Sequence, residues 1–184
     1  MPFSLQECIS TSDVFAGVED RVLIVKDDNG NYFVPSFDVM TLMEMCPGDG
    51  YEVFLIGMDD LDFQYPSSDG LARIETAESK FWSDYSVNSV STEYDIVKTG
   101  ISHPIIVTEL DGMVRLGDEL VAYADGEVVG ATKIVDLEAP VVLSTWGSFT
   151  EYGADLPGYE NGDAIELRLW SAEEGRELRL EANL

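Results

Sequence analysis

The sequence predicts an all-β protein, with an antiparallel β-sandwich in its C-terminal half and a smaller β-rich module in its N-terminal half. Three features of the sequence predict this class. Short runs rich in β-branched and aromatic residues alternate apolar with polar positions, and glycine-containing turn dipeptides separate these runs. No strand–helix–strand alternation is present, and short strands at this spacing are typical of antiparallel sandwiches.

Glycine-containing dipeptides predict three β-hairpins. They are Asn29-Gly30, Asp125-Gly126 and Glu174-Gly175, and each joins two β-patterned runs. Asp-Gly is a strong hairpin signal, because a type I′ turn needs a positive φ angle at both central residues. Gly130 lies inside the second run of the Asp125-Gly126 hairpin, where glycine typically marks a β-bulge or a close backbone approach.

The C-terminal half contains about seven predicted strands. They cover residues 93–98, 103–110, 119–124, 127–135, 140–146, 164–170 and 177–184. Because every second residue of a strand faces the same side of its sheet, the pattern predicts a set of inward or half-buried positions. These are Val121, Tyr123, Val129, Ile134, Val142, Ile165, Leu167 and Leu169. No helix is expected between residues 117 and 146.

The chain is expected to consist of three parts. Residues 1–65 form the smaller β-rich module, with the first hairpin, a short helix around residues 37–45 and a strand over "YEVFLIG". Residues 66–92 are rich in serine and are interpreted as a connector with one helical turn, "ARIETAESKFW". Residues 93–184 form the sandwich module.

The charge of the chain restricts its partners. Thirty-six acidic residues against ten basic ones give a net charge of −26. Such a surface repels phosphate backbones and anionic lipids, so neither nucleic-acid binding nor binding to a membrane surface is expected. No apolar stretch approaches the ~20 residues that span a bilayer, and membrane insertion is therefore not expected either.

The two cysteines, Cys8 and Cys46, have two interpretations. They form a disulfide if the protein folds in an oxidising compartment, or they are two buried free thiols. The spacing of the cysteines and of the one histidine matches no zinc motif.

No catalytic constellation stands out. A catalytic triad would have to be built around His103, the one histidine, which directly precedes Pro104. A pair of carboxylates, as in a glycoside hydrolase, needs a separation of roughly 5 to 10 Å that the sequence does not reveal. The hydrolase therefore stays an alternative without named residues.

Calcium is the one cofactor that the residues suggest. Asp27, Asn29 and Asn31 offer oxygen ligands at alternate positions, but Tyr32 occupies the place where a calcium loop needs glycine. Asp59, Asp60 and Asp62 form a second acidic group without a loop signature. The competing interpretation of both groups is a solvated acidic turn.

Aromatic residues provide a candidate binding site for a ligand. Trp146, Phe149, Tyr152 and Tyr159 fall in or next to a long glycine-rich loop between two predicted strands. Loops held by a rigid scaffold often carry binding residues, and such rings could stack on a sugar face. The competing interpretation is that these rings cap the open end of the core.

Several segments resemble modules of large secreted bacterial proteins. "VLIVKDDNGNYFVPSFDVMTLMEMCPGDGYEVFL" is similar to the end of one such module. "KTGISHPIIV", "GDELVAYADGEVVGATKIV", "VVLSTWGS" and "GYENGDAIELRLWSAEEGREL" are similar to the module that commonly follows it, near the C-terminal end of exported or surface proteins. The resemblance rests on turns and strand starts and implies no catalytic residues.

One departure from this resemblance leads to a structural prediction. The first module of that pair normally begins with a Gly-Trp-Asn-like strand, which the N-terminal segment here does not contain. The sheet that carries "RVLIVKD" and "YEVFLIG" is therefore expected to have an open edge, and such edges recruit another strand. The chain is therefore expected either to self-associate through this sheet or to dock the sheet against the C-terminal sandwich. The departure also raises the alternative that the chain is a piece of a longer protein.

The predicted function is a non-enzymatic interaction or structural module, located outside the cell or on the cell surface, for attachment, spacing or assembly. Its expected partner is a protein or polysaccharide surface. The first alternative is a carbohydrate-binding module that uses the loop aromatics. The second is the glycoside hydrolase.

Overall fold

The fold is all-β, as the sequence predicts. The computed structural model describes residues 7–57, 61, 63–66, 91, 93–110, 112 and 114–180. These residues contain twelve β-strands, one short α-helix and two short 3₁₀ helices. The chain divides into two compact units, Met1–Val87 and Asn88–Leu184. The boundary between them falls within the predicted connector, residues 66–92. Most of this connector, including its predicted helical turn, lies outside the described residues.

The N-terminal unit is built on a four-stranded sheet and a two-stranded ribbon. In chain order its elements are β1 (Ile9–Ser10), α1 (Thr11–Val14), a 3₁₀ helix (Glu19–Arg21), β2 (Val22–Lys26), β3 (Tyr32–Val34), a 3₁₀ helix (Pro35–Phe37), β4 (Val39–Met40), β5 (Glu44–Met45) and β6 (Glu52–Leu55). The sheet order is β4-β3-β2-β6, and β1 pairs with β5. All of these pairings are antiparallel.

The core of this unit lies on one face of the four-stranded sheet. Val25 on β2 and Val53 on β6 are direct cross-strand partners, and both pack into the core. The fully or nearly buried residues that join them include Val22, Phe33, Met40, Met45, Tyr51 and Phe15. The Phe15 ring also stacks on Phe33 and Phe63, at centroid distances of 6.0 and 5.5 Å.

The predicted helix around residues 37–45 is wrong. This segment contains β4 and β5 and a left-handed residue, Asp38, with φ of 53°. The Leu42 N–H donates to the Tyr32 carbonyl at 2.8 Å, and the Tyr32 N–H donates to Thr41 Oγ1 at 2.7 Å. Pairing with β3 therefore satisfies the backbone groups that a helix would have bonded internally.

The sheet that carries "RVLIVKD" and "YEVFLIG" has the strand of the second segment, β6, at one side. Residues 21–26 do not form an edge, because β2 lies between β3 and β6. Within the part of the chain that the structure describes, β6 is the outer strand at this end of the sheet. Among the described residues, no strand pairs with the outer side of Glu52–Leu55, which is called here the open edge.

Cys8 and Cys46 form a disulfide. Strand β1 pairs with β5 in a register that places Ile9 opposite Met45, so the preceding pair in the same register is Cys8 opposite Cys46. Their Cα atoms lie 4.1 Å apart, close to the spacing of directly opposed residues in an antiparallel ribbon. Of the two interpretations of the cysteines, the disulfide is the one found.

The C-terminal unit consists of two antiparallel sheets around one core. Its strands are β7 (Ser102–Val107), β8 (Glu119–Ala124), β9 (Glu127–Lys133), β10 (Val141–Trp146), β11 (Ile165–Ser171) and β12 (Arg176–Arg179). One sheet has the order β12-β11-β8-β9, and the other is the β7–β10 pair. Leu120, Leu143 and Leu169 from the two sheets belong to the same buried cluster, which is the arrangement of a sandwich.

All three predicted hairpins are present. Asn29-Gly30 joins β2 to β3, Asp125-Gly126 joins β8 to β9, and residues 172–175 join β11 to β12. Asp125 and Gly126 have φ angles of 47° and 88°, as a type I′ turn requires. No helix interrupts residues 117–146.

One predicted strand of the sandwich is absent. Residues 93–98 form no strand but an irregular segment. The eight positions predicted as inward or half-buried are all buried or half-buried. Not all of them face the core between the two sheets, because on β8 the core-facing residues are Leu120, Ala122 and Ala124, so Val121 and Tyr123 face the opposite side of the sheet. Similarly, Val141 and Leu143 rather than Val142 face the core on β10.

Candidate functional site

The loop between β10 and β11 is held against the end of β10 by two glycines. The Tyr159 N–H donates to the Trp146 carbonyl at 3.1 Å, and the Ser148 N–H donates to the Tyr159 carbonyl at 2.9 Å. A Cβ atom on Gly158 would overlap the backbone of Gly147, so only glycine permits this approach. The contact places the Tyr159 ring beside the start of the loop.

The structure separates the four aromatic residues that the sequence suggested. Trp146 is only 3% exposed, and Lys98 Nζ lies 5.8 Å from its ring centroid. Phe149 is half-buried and its ring lies 6.4 Å from that of Tyr152, which is 96% exposed at the loop tip. Tyr159 is half-buried and makes no ring contact with the other three. Trp146 is buried outside the core cluster against which Tyr159 packs, and the rings form no single platform.

Trp146 and Tyr159 line two different clefts. One, called here the His103 cleft, has a volume of about 260 Å³ and is lined by His103, Ile105, Thr145, Tyr159, Glu160, Asn161, Gly162, Asp163 and Ile165. The other has a volume of about 250 Å³ and is lined by Asp95, Ile96, Val97, Glu127, Val128, Val129, Trp146, Pro157 and Gly158.

The His103 cleft has an apolar base and a polar rim. Ile105, Ile165 and Tyr159 are half-buried residues packed against the core, whereas His103 and Asn161 are exposed. Burial desolvates the phenol and raises the pKa of Tyr159 above its ordinary value, and the hydroxyl is protonated at neutral pH, as it is in an exposed tyrosine. The cleft thus combines carbon surface with hydrogen-bonding groups.

Hydrogen bonds fix both sides of this cleft. Asp163 Oδ2 accepts the Glu160 N–H at 2.7 Å, and the Asp163 N–H donates to the Glu160 carbonyl at 3.1 Å, closing the turn that carries Asn161. On the other side, Thr145 Oγ1 donates to the His103 carbonyl at 2.9 Å, across the β7–β10 pair. These bonds hold the backbone that carries His103 and Asn161 at the rim of the cleft.

Sequence reasoning found one lining residue of this cleft, Tyr159, and missed its partners. The sequence suggests His103 only as a residue around which a catalytic triad would have to be built. The cleft needs His103 opposite Thr145, which depends on the register of two strands about 40 residues apart. The sequence contains no local signal for that register.

A second cluster of polar residues lies on the outer face of the four-stranded sheet, around Glu177. The Tyr94 hydroxyl donates to Glu177 Oε1 at 2.6 Å, and the Tyr123 hydroxyl donates to the same oxygen. Arg168 Nη1 donates to Oε2 at 2.9 Å, and its guanidinium lies 4.1 Å from the Tyr123 ring centroid. Burial alone would raise the pKa of Glu177, but the hydrogen bonds from Tyr123, Tyr94 and Arg168 outweigh it and hold this pKa below its ordinary value.

This cluster attaches the irregular segment around Tyr94 to the sheet. Glu119, Trp170 and Glu177 are cross-strand neighbours and form one row across β8, β11 and β12. Ser91 donates to Glu119, and the Tyr94 ring packs edge-on against Trp170 at 6.3 Å. The contacts are internal to the unit, so the cluster serves the fold.

Replacing Glu177 with glutamine is expected to destabilise the C-terminal unit by about 1–3 kcal/mol at neutral pH, because two phenols and a guanidinium lose a charged acceptor. Folding lowers the pKa of Glu177, so its stabilising contribution is present above the unfolded value of 4.5 and is lost as the pH falls through the lower folded value. Urea unfolding should therefore show a difference between wild type and variant at neutral pH that disappears in acid. Glu166→Gln is the control, because Glu166 is an exposed carboxylate that binds the same Arg168. This variant should lower the free energy of unfolding less than Glu177→Gln does. A difference that persists unchanged in acid would contradict this account.

The predicted calcium ligands are used by the hairpin turn. Asp27 Oδ1 accepts the backbone N–H groups of Asn29 and Asn31, at 2.9 and 2.8 Å, and Oδ2 accepts the Asn31 side-chain amide at 2.7 Å. This is the solvated-turn arrangement that was the competing interpretation. Asp59, Asp60 and Asp62 lie outside the described residues.

One group of potential metal ligands from His, Cys, Asp and Glu occurs in the described part of the chain. It consists of Cys8, Glu44 and Cys46, whose ligand atoms lie within 4.8 Å of one another. Because the two sulfur atoms are bonded to each other, neither is available as a thiolate. The group is a disulfide beside a carboxylate.

Comparison with known proteins adds no relative. The chain matches no protein-family model, no curated protein and no solved structure. The resemblance to modules of secreted bacterial proteins therefore stays a prediction. Among the described residues, no helix is long and apolar enough to cross a membrane.

Proposed function

We propose that this chain is a non-enzymatic interaction module that acts outside the cell and assembles with a second copy through the open edge of its N-terminal sheet. The Cys8–Cys46 disulfide supports the location, because disulfides persist in oxidising compartments and are rare in the cytosol. The high acidic charge supports a role in which nucleic acid and anionic membranes are not the partner.

The observation that carries the proposal is the apolar character of the open edge strand β6. Its terminal residues Phe54 and Leu55 are 46% and 38% exposed, and the next residue, Ile56, is 45% exposed. Leu23 on the adjacent strand β2, at an irregularity in the β2–β6 register, is 48% exposed. Three of these exposed apolar side chains lie on the outer strand β6 or directly after it, and Leu23 lies on the inner strand beside it.

This edge lacks the charges that usually prevent strand addition. Proteins often place charged residues or proline on edge strands to block pairing with another chain. The only charged residue of β6 is Glu52, and its carboxylate is paired with Lys26 at 2.9 Å. Lys26 also lies 5.7 Å from the Phe54 ring centroid, which leaves no isolated charge along β6. Addition of the same strand from a second copy would pair the exposed backbone and bury the apolar side chains.

The net charge sets the conditions for this assembly. Two chains of net charge −26 repel each other, and salt screens this repulsion with a Debye length of about 10 Å at 0.1 M. Association should therefore strengthen as the NaCl concentration rises.

Sedimentation velocity of the full chain at micromolar concentration tests the proposal. Dimers are expected at high salt in the wild type, and Leu55→Lys is expected to abolish them. Leu137→Lys is the matched control, because it makes the same change at a leucine that is 50% exposed in the C-terminal unit. Both variants lower the net negative charge equally, so a loss of dimers in Leu55→Lys alone is specific to the edge. A wild type that stays monomeric at every salt concentration would refute the proposal.

A further inference from the structure

We infer that the His103 cleft binds one neutral sugar ring in its pyranose form, as the terminal unit of a polysaccharide. This is a binding site in the C-terminal unit, and it does not depend on assembly through β6 in the N-terminal unit. Three properties of the cleft support it: its size, its mixed set of hydrogen-bonding groups and its charge.

The size and the base of the cleft suit a single small ring. Its volume of about 260 Å³ lies just below the roughly 300 Å³ at which pockets for drug-sized ligands begin. Ile105, Ile165 and the Tyr159 ring provide carbon surface. A pyranose ring has one apolar face of C–H groups, which aromatic and aliphatic side chains cover well.

The lining groups both donate and accept hydrogen bonds. The Asn161 amide and the His103 imidazole each contain donor and acceptor atoms, and the Tyr159 hydroxyl is protonated. Glu160 and Asp163 add acceptors. A sugar hydroxyl also donates and accepts, so a ligand with several hydroxyl groups can satisfy this mixed set, whereas an ammonium group would leave the donors without an acceptor.

The charge of the cleft excludes an acidic sugar. Two carboxylates, Glu160 and Asp163, lie among the lining residues of a chain with net charge −26. An anionic ligand would be repelled by both. The expected ligand is therefore an uncharged hexose unit rather than a uronic acid or a sulfated sugar.

The cleft is also preformed, which favours binding of a ligand. The hydrogen bonds between Glu160 and Asp163 hold the turn, and the Gly147–Gly158 contact holds Tyr159 beside it. Little ordering remains to be done when a ligand enters, and this lowers the entropic cost of binding.

The test is a titration of the full chain, followed by amide NMR, with the methyl pyranosides of glucose, galactose and mannose. At least one of the three is expected to shift the amide signals of Tyr159, Asn161 and Gly162, with millimolar affinity. His103→Ala and Asn161→Ala, both at exposed positions that should tolerate substitution, are each expected to weaken binding about tenfold. Tyr152→Ala removes an aromatic ring of the same loop that does not line the cleft, and should leave the affinity within about twofold.

Three results would overturn the inference. The first is that none of the three pyranosides shifts the cleft amides. The second is tighter binding of N-acetyl-lysine methylamide than of any pyranoside, which would identify the cleft as a site for a basic peptide. The third is a set of shifts centred on the cleft around Trp146. None of these results bears on dimer formation through β6, so the two proposals fail separately.

Discussion

Replacing Cys8 and Cys46 together with serine is expected to lower the free energy of unfolding of the N-terminal unit by about 4 kcal/mol. The disulfide closes a loop between residues 38 positions apart, and opening this loop returns conformational entropy to the unfolded chain. The effect should be large relative to the whole stability, because this unit has few strands of more than three residues. Among its described residues, only β2 and β6 exceed that length.

Urea unfolding followed by the amide signals of Val25 and Phe33 measures this effect, since both residues are in the core of the unit. Reduction of the wild type should reproduce the midpoint of the double serine variant, and adding reductant to that variant should change nothing. The signal of Leu120, in the core of the other unit, serves as an internal reference. Identical midpoints for oxidised and reduced wild type would show that the disulfide contributes nothing to stability.

The features that the sequence predicted correctly depend on short stretches of chain. Asp125-Gly126 forms a hairpin because positive φ angles at two adjacent residues direct the chain back on itself, whatever the rest of the molecule does. The alternation of Ile165, Leu167 and Leu169 likewise identified one face of β11, and all three contribute to the core. Local backbone preferences and the period of two are sufficient for such features.

The features that the sequence missed depend on distant partners. Residues 37–45 contain enough apolar residues for a helix, but hydrogen bonds to Tyr32 on β3 override that local preference. The choice between the two faces of β8 depends on which sheet covers it, because Leu120 and Val121 are both apolar and fully buried. His103 and Tyr159 meet through the β7–β10 register and the Gly147–Gly158 contact, neither of which a single sequence reveals.

Gly130 shows that one residue can have both a local and a distant role. The sequence predicted a bulge or a close approach of the backbone at this position, and both are present. The β8–β9 register shifts between Ala122, which pairs with Gly130, and Tyr123, which pairs with Val128. A Cβ atom on Gly130 would overlap the carbonyl oxygen of Ser144 on β10, which belongs to the other sheet of the sandwich. Gly130 is thus a point where the backbones of the two sheets are nearly in contact.

Replacing Gly130 with alanine is therefore expected to destabilise the C-terminal unit by about 3 kcal/mol, because the added methyl group meets backbone, which cannot rotate away as a side chain would. The amide signals of Leu120 and Leu143 during urea unfolding report the change from either side of the core. Gly50→Ala is the matched control, since Gly50 has an ordinary φ angle and no atom within 4 Å of an added Cβ. Gly50→Ala should change the free energy of unfolding of the N-terminal unit, to which Gly50 belongs, by less than about 0.5 kcal/mol. A change equally small for Gly130→Ala would mean that the two sheets can move apart with little loss of free energy. The close approach of β9 and β10 would then be no constraint on the sandwich.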